Sequence, residues 1–197
     1  MLTRGVSHKK IDDVFHGLTL ISFNYDRCLE HFLFNALQRL YDVDAKKAAD
    51  ICNNAQIFHP YGAVGALPYQ NKNNSVCFGG DQTGNTYVAL ASQIRTYTEE
   101  IYEDSQINCI KEALSKAAIV IFLGFGFHPQ NLDILTKSDK TGTMRKDIFA
   151  TGFKLSPFNC AYYGDDMMRR FNCSAPTVER MQTCVSLLDS YSAIIFA

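Results

Sequence analysis

The stretch that decides the fold is LTLISFNYDRCLEHFLFNALQRL, which occupies residues 18–40. Its first five residues, Leu18–Ser22, form an apolar run with the length of a short buried strand. Apolar side chains then recur at helical spacing on one predicted face: Leu29, Phe32, Leu33, Ala36, Leu37 and Leu40. The stretch therefore predicts a strand, a tight turn and a helix.

The same order of elements recurs along the chain. The short run QIFH, residues 56–59, follows a predicted helix around Ala45–Cys52. A helical stripe then leads into the apolar run Ile119–Leu123, a glycine turn and a short helix through Leu135. Asp147–Thr151 predicts a further strand. Apolar spacing predicts a last helix over residues 177–191, with these residues on its stripe: Val178, Met181, Val185, Leu188 and Tyr191.

Helices that alternate with short apolar strands predict an α/β fold, with a mostly parallel sheet and helices on both faces. The chain has 197 residues, of which 47% are hydrophobic and 20% are charged, so a single compact domain is expected. The 19 basic and 20 acidic residues nearly cancel, and this balance disfavours a nucleic-acid-binding surface.

The sequence also indicates where the protein works. Its longest apolar run, residues 117–127, is about half of the roughly 20 residues that cross a bilayer, so no membrane segment is predicted. The N-terminus lacks the apolar segment of a secretory signal, which indicates the cytoplasm. The seven cysteines are scattered and form no C-x-x-C pair, so we expect no disulfide framework, no zinc or other metal site, and mostly buried thiols.

Three loops follow predicted strands and begin at Asn24, His59 and Gly124. Ligands of parallel α/β sheets bind outside the carboxyl ends of the strands, where helix N-termini and loops converge. We therefore expect the three loops to meet at one edge of a single sheet and to form the functional site.

The first loop runs from Ser22 to Asp26 and has two interpretations. Asn24 or Asp26 is a suitable residue to cap the following helix. Alternatively, the amide and the carboxylate recognise a ligand carboxamide and orient a water molecule or a ribose.

The second loop is FHPYGAVG, residues 58–65. His59 is either a hydrogen-bonded structural residue or a general base at the ligand edge, since imidazole accepts protons near neutral pH. Gly62 and Gly65 would let the backbone approach a ligand closely.

The third loop is GFGFHPQN, residues 124–131. It starts as G-x-G but lacks the third glycine of a dinucleotide fingerprint. It is either a tight turn between a strand and a helix, or a loop in which Gly124 and Gly126 leave room for a ribose or phosphate and Asn131 supplies a polar contact.

Taken in order, the segments SFNYDRCLE, IFHPYGAVG and IVIFLGFGFHPQN resemble the sirtuin-like domains of bacterial proteins, in particular the branch that cleaves NAD in anti-phage defence. The similarity covers residues 18–156, where ATGFKLS is similar to the next strand and loop of the family. It implies a Rossmann-like domain over residues 1–197 that lacks the family's N-terminal glycine-turn unit. The four-cysteine zinc module of protein-deacylating sirtuins is also missing.

The resemblance implies roles for individual residues. Asn24 and Asp26 would contact the ribose and carboxamide of NAD, and His59 would be the base. The family usually spells the base position His-Gly, whereas this chain has Tyr61-Gly62, so either His59 has taken the role or the site lacks its base. The other implied NAD contacts are Ser22, Tyr25, Tyr61, Gly62, Gly124, Gly126, Phe127 and Asn131.

Three functions follow from this resemblance. The first is an NAD hydrolase that cleaves the bond between nicotinamide and ribose. The second is a module that binds NAD or ADP-ribose without cleaving it, and the third is an NAD-dependent protein deacylase. Self-association or a partner domain stays open, since the apolar stripe of the last predicted helix would pack either internally or against another subunit.

Overall fold

The computed structural model describes residues 6–71, 75–80, 88, 90–95, 105–136 and 144–195. The described residues up to 95 belong to one compact unit, called here the N-terminal unit. Those from 105 onward belong to a second, the C-terminal unit. No helix in the described ranges is both long enough and apolar enough to cross a membrane.

The N-terminal unit is built on a pair of parallel strands. After a 3-10 helix at His8–Asp13 come strand β1 (Thr19–Ile21), helices α1 (Cys28–Tyr41) and α2 (Ala45–Asn54), and strand β2 (Gln56–Phe58). The strands pair in register from Thr19 opposite Gln56 to Ile21 opposite Phe58. Both therefore end at the same edge, from which the first two predicted loops begin.

Local signals set the helix boundaries in this unit. Helix α1 ends where Asp42 adopts the left-handed conformation, with φ of 48°. Helix α2 begins after Asp44, whose side chain accepts a hydrogen bond from the backbone N–H of Lys47 at 2.7 Å. The two helices pack against each other. Both lie between β1 and β2 in the order of the chain.

The C-terminal unit contains a three-stranded parallel sheet in the order β3-β4-β5. Its elements are α3 (Ser105–Lys116), β3 (Ile119–Phe122), α4 (Pro129–Thr136), β4 (Asp147–Thr151), α5 (Pro157–Arg170), β5 (Thr177–Glu179), α6 (Cys184–Ser190) and α7 (Ser192–Ile195). The central strand is the most buried, with Ala150 fully inaccessible. Strands with helices between them and parallel pairing confirm the predicted Rossmann-like α/β class.

The described strands form two sheets, whereas the sequence analysis placed all three loops on one. Strands β1 and β2 share one sheet, and β3, β4 and β5 share the other. The loops that begin at Asn24 and His59 therefore follow strands of the N-terminal unit, and the loop at Gly124 follows a strand of the C-terminal unit.

The predicted helix over residues 177–191 is wrong in its first half. Thr177–Glu179 is strand β5, paired with β4, and the helix starts only at Cys184 after the N-cap Thr183. The apolar spacing was coincidental, since Met181 and Val185 are exposed and Leu187 is the buried residue. Pro176 immediately precedes a β-branched pair, which suits an extended segment.

Helix α5 was not predicted, and the buried face of α1 was predicted only in part. In α5 the buried positions are Cys160, Gly164 and Met167, a weak apolar stripe. In α1 two residues of the predicted stripe, Phe32 and Leu40, are each 66% exposed. The buried face of α1 consists instead of Glu30, Leu33, Leu37 and Tyr41.

The prediction that most cysteines are buried is also wrong. Cys52 and Cys160 are buried and Cys173 is half-buried, whereas the other four are exposed: Cys28, Cys77, Cys109 and Cys184. All seven thiols are free. Within the described residues, no three histidine, cysteine or acidic side chains lie together as a metal site.

Candidate functional site

The first two predicted loops meet at the carboxyl edge of β1 and β2. The backbone N–H of Ser22 donates to the carbonyl of Phe58 at 2.9 Å, continuing the strand pairing. The N–H of Val64 then donates to the carbonyl of Tyr25 at 3.0 Å. His59 Nδ1 lies 2.9 Å from the carbonyl oxygen of Asn24. The structure therefore brings the first two loops together at one edge, as expected.

His59 is held by acceptors on both ring nitrogens. Nδ1 faces the Asn24 carbonyl, and Nε2 lies 2.7 Å from Oε1 of Glu30. Both groups are buried, with His59 8% and Glu30 5% exposed. A carbonyl and a carboxylate accept hydrogen bonds, so this arrangement matches an imidazolium that donates from both nitrogens.

The electrostatics agree with the geometry. Burial alone would lower the pKa of His59, but hydrogen bonds to Glu30 and to the Asn24 carbonyl, with the negative charges of Glu30 and Asp26, raise it above its ordinary value of 6.5. A general base needs a free nitrogen lone pair. In this arrangement both nitrogens of His59 are occupied, and the residue joins the first loop to helix α1.

Arg27 fixes the loop that follows His59. Its Nη1 donates to the carbonyl of Val76 at 2.7 Å and to that of Ala66 at 3.1 Å. Arg27 is 7% exposed. Since a buried guanidinium is tolerated only when it is well bonded, these contacts tie the segment around Ala66 and Val76 to the start of α1.

The two polar residues of the first loop behave differently. Asn24 is exposed, and its side-chain amide makes no hydrogen bond within the described residues. Asp26 Oδ1 accepts a hydrogen bond from the N–H of Cys28, the first residue of α1, at 2.9 Å. This bond, with a second from the Cys28 side chain, lowers the pKa of Asp26. Asp26 thus binds the first N–H of α1 from the position before the N-cap residue Arg27, while the Asn24 amide is available to a ligand.

The remaining predicted contacts of the first loop are local. Ser22 Oγ accepts a hydrogen bond from the N–H of Asn24 at 3.3 Å. The Tyr25 hydroxyl donates to the carbonyl of Arg95 at 3.3 Å. Tyr25 is 38% exposed, so its side chain is accessible to solvent beside Asn24.

Tyr61 and Gly62 serve packing. Tyr61 is 7% exposed, and its ring lies edge-on to Phe23 with 5.9 Å between centroids. Gly62 has φ of +81°, and a Cβ placed there would lie 2.0 Å from the carbonyl oxygen of Gln93. A glycine is required here by its conformation and by close approach of the Gln93 backbone.

The third loop has a different character. The N–H of Gly124 donates to Thr151 Oγ1 at 2.8 Å. Phe127, which was predicted to contact NAD, is buried and stacks on Tyr163 with 4.7 Å between centroids. Its role is core packing in the C-terminal unit. Gly126 is exposed with open space beside it, and half-buried Asn131 donates its N–H to the carbonyl of His128 at 3.0 Å.

A cleft of about 390 Å³ lies beside the His59–Glu30 pair. Its lining is Arg27, Glu30, Ile57, His59, Ala63, Gly65, Ala66, Gln70 and Gln93, all in the N-terminal unit. Of the residues predicted from the sequence, His59 and Gly65 line it. The cleft therefore joins the second loop to the first turn of α1.

Sequence reasoning missed Arg27 and Glu30. Glu30 precedes Leu33 and Leu37 by one and two turns, so it lies on the buried stripe of α1. A charged residue on an apolar helix face, directly after a strand and a turn, was the available signal. The sequence does not show which residue pairs with Glu30, because His59 is 29 residues away in the chain.

Comparison of the chain with known protein families, curated sequences and solved structures gives no match in any of the three. The sirtuin-like resemblance therefore stays a prediction that depends on the three quoted segments.

Proposed function

We propose that the N-terminal unit binds NAD or ADP-ribose at the edge formed by residues 22–26 and 59–65, and does so without cleavage. The observation that carries this proposal is the placement of His59 between the Asn24 carbonyl and Glu30. This bridge joins the two loops that the sirtuin-like resemblance assigns to the ligand. It also occupies both ring nitrogens of His59, so neither is free to act as a general base.

The Asn24 side chain is the group best placed to contact the ligand. It is exposed at the carboxyl edge of two parallel strands, where ligands of α/β proteins bind. Its backbone is held from two sides, because the N–H donates to Ser22 Oγ and the carbonyl faces His59. A fixed backbone that carries an unengaged amide presents a donor and an acceptor at low entropic cost.

Titration calorimetry with ADP-ribose and with NAD tests binding. We expect the intact chain to bind, and Asn24→Ala to weaken binding by roughly tenfold, as for loss of one or two hydrogen bonds. The matched control is Asn54→Ala, which removes an exposed amide at the end of α2. Absence of ADP-ribose and NAD binding, or equal binding by both variants, would refute the proposal.

NAD hydrolysis is the second candidate, and the unengaged Asn24 amide favours it. In that case the protein releases nicotinamide from NAD without a peptide, and Asn24→Ala abolishes release. If release instead requires an acylated peptide, the protein is a deacylase. Under the binding proposal no nicotinamide appears in either assay.

A further inference from the structure

The cleft beside the His59–Glu30 pair carries an inference of its own. None of the residues 22–26 lines the cleft, but His59, Ala63 and Gly65 of the second loop do, so the cleft is a neighbouring surface that adjoins the proposed NAD edge. Its polar lining consists of a buried carboxylate, a buried guanidinium, a buried imidazole and two glutamines: Glu30, Arg27, His59, Gln70 and Gln93. These polar groups surround a volume large enough for a single aromatic ring with a substituent.

Glu30 has one carboxylate oxygen without a partner. Oε1 is bonded to His59, whereas Oε2 is buried and has no hydrogen-bond partner among the described residues. Buried charged acceptors are almost always hydrogen-bonded, and leaving one unpaired is unfavourable. An N–H donor of a ligand in the cleft would supply the hydrogen bond that Glu30 Oε2 lacks.

Arg27 offers the complementary group. It precedes the first turn of α1, three residues before Glu30, and lines the same cleft. Both hydrogen bonds found for its guanidinium within the described residues come from Nη1. Nε and Nη2 therefore keep N–H donors for an acceptor in the cleft.

The charges determine what class of ligand suits this arrangement. One oxygen of Glu30 is already paired with His59, 2.7 Å away. An anion would face the lone pairs of Glu30 Oε2, and a cation would face Arg27 and His59. A neutral group avoids both kinds of repulsion.

We infer that the cleft binds a neutral planar group whose edge carries an N–H donor beside an acceptor, with the donor bonded to Glu30 Oε2 and the acceptor to Arg27. Primary carboxamides and the amino edge of adenine share this chemistry. This inference goes beyond the proposed function, because it assigns ligand contacts to Glu30 Oε2 and Arg27, which contact no ligand in the proposed function, and because it does not require NAD to bind.

Ligand-observed NMR titrations of the full chain with benzamide, adenine and benzoate test the inference. We expect benzamide or adenine to bind. The one that binds shows whether the cleft recognises a primary carboxamide or the amino edge of adenine. Benzoate has the shape of benzamide but only acceptors, so its affinity should be at least about tenfold lower. Glu30→Gln should weaken the binding ligand by roughly tenfold or more, whereas Glu112→Gln, an exposed acid paired with Lys116, should leave it unchanged.

A second variant keeps the test valid if Glu30→Gln does not fold. Ala63→Phe places a ring in the cleft and retains Arg27, Glu30 and His59, so it should remove binding while the circular dichroism spectrum stays native. Asn24→Ala should leave benzamide and adenine binding unchanged, which separates this inference from the proposed function. The inference is wrong if neither benzamide nor adenine binds, if benzoate binds equally well, or if Ala63→Phe binds like the original chain.

Discussion

The tripeptide Phe-His-Pro occurs in two loops of this protein, at residues 58–60 and 127–129, with opposite outcomes. In the N-terminal unit the histidine, His59, is buried. In the C-terminal unit the phenylalanine, Phe127, is buried and His128 is exposed. In both, the histidine carbonyl accepts a hydrogen bond from a residue three positions later, Gly62 or Asn131.

The difference comes from the partners that each loop meets. His59 finds the Asn24 carbonyl and Glu30, and these two acceptors offset the cost of burying its ring. Phe127 finds Phe122, Phe125 and Tyr163, which form an aromatic cluster. The same local sequence therefore supports a polar site in one unit and an apolar core in the other.

The largest effect on stability is expected at the second Phe-His-Pro tripeptide, residues 127–129. Phe127→Ala removes a buried ring that stacks on Tyr163 and should lower the free energy of unfolding by about 3–5 kcal/mol. Phe153→Ala is the matched control, because Phe153 is 52% exposed and should cost less than about 1 kcal/mol. Urea denaturation of both variants measures the difference. Equal losses would mean that Phe127 is not part of a core.

The glycines of the two loops should also respond differently. Gly62→Ala forces a Cβ to 2.0 Å from the Gln93 carbonyl oxygen at φ of +81°, so we expect a loss of about 2–4 kcal/mol. At Gly126 a Cβ would meet no atom within 4 Å. Gly126→Ala should therefore change stability by about 1 kcal/mol or less, in either direction. Thermal unfolding of both variants tests the contrast, and a tolerated Gly62→Ala would contradict the close approach to Gln93.

The two histidines should differ in their effect on pH dependence. The folded-state pKa of His59 is raised, so its stabilisation is fully present below the unfolded value near 6.5 and is lost as pH rises through the folded pKa. Each unit by which the pKa is raised corresponds to about 1.4 kcal/mol.

Unfolding free energies measured between pH 5 and pH 9 test this expectation. The decrease in stability above pH 6.5 should be smaller in His59→Gln than in the original chain. His128→Gln changes an exposed residue and should keep the original profile. A profile of His59→Gln that matches the original would show that the His59–Glu30 pair does not titrate as described.

These contrasts also show which parts of the fold the sequence could predict. Strands β1 and β2 and helices α1 and α2 follow from short-range apolar spacing, and the structure places them within a few residues of the predicted bounds. The expected helix over residues 177–191 was wrong because Thr177–Glu179 pairs with β4, about 28 positions earlier in the chain. No local pattern contains that pairing.

The candidate site was predictable to a similar degree. The meeting of the Asn24 and His59 loops followed from the rule for parallel strands, because both loops leave the same edge. The burial of His59 did not follow, since it depends on Glu30, which lies among apolar side chains on α1. A buried ion pair is visible in sequence only when both partners share a motif, and these two residues do not.

The smallest expected effect concerns the bond from the first N–H of α1 to Asp26, and it separates a structural role of Asp26 from a role in ligand binding. Asp26→Ala removes the acceptor for the N–H of Cys28 and should cost about 1 kcal/mol, like Ser156→Ala at the start of α5 in the C-terminal unit. Asp26→Asn keeps an oxygen that can cap the helix and should cost less. If Asp26 only accepts this bond, Asp26→Asn also retains ADP-ribose and NAD affinity in calorimetry. A loss of NAD affinity in Asp26→Asn, with stability retained, would instead assign the carboxylate to the ligand, because only its charge and acceptor capacity have changed.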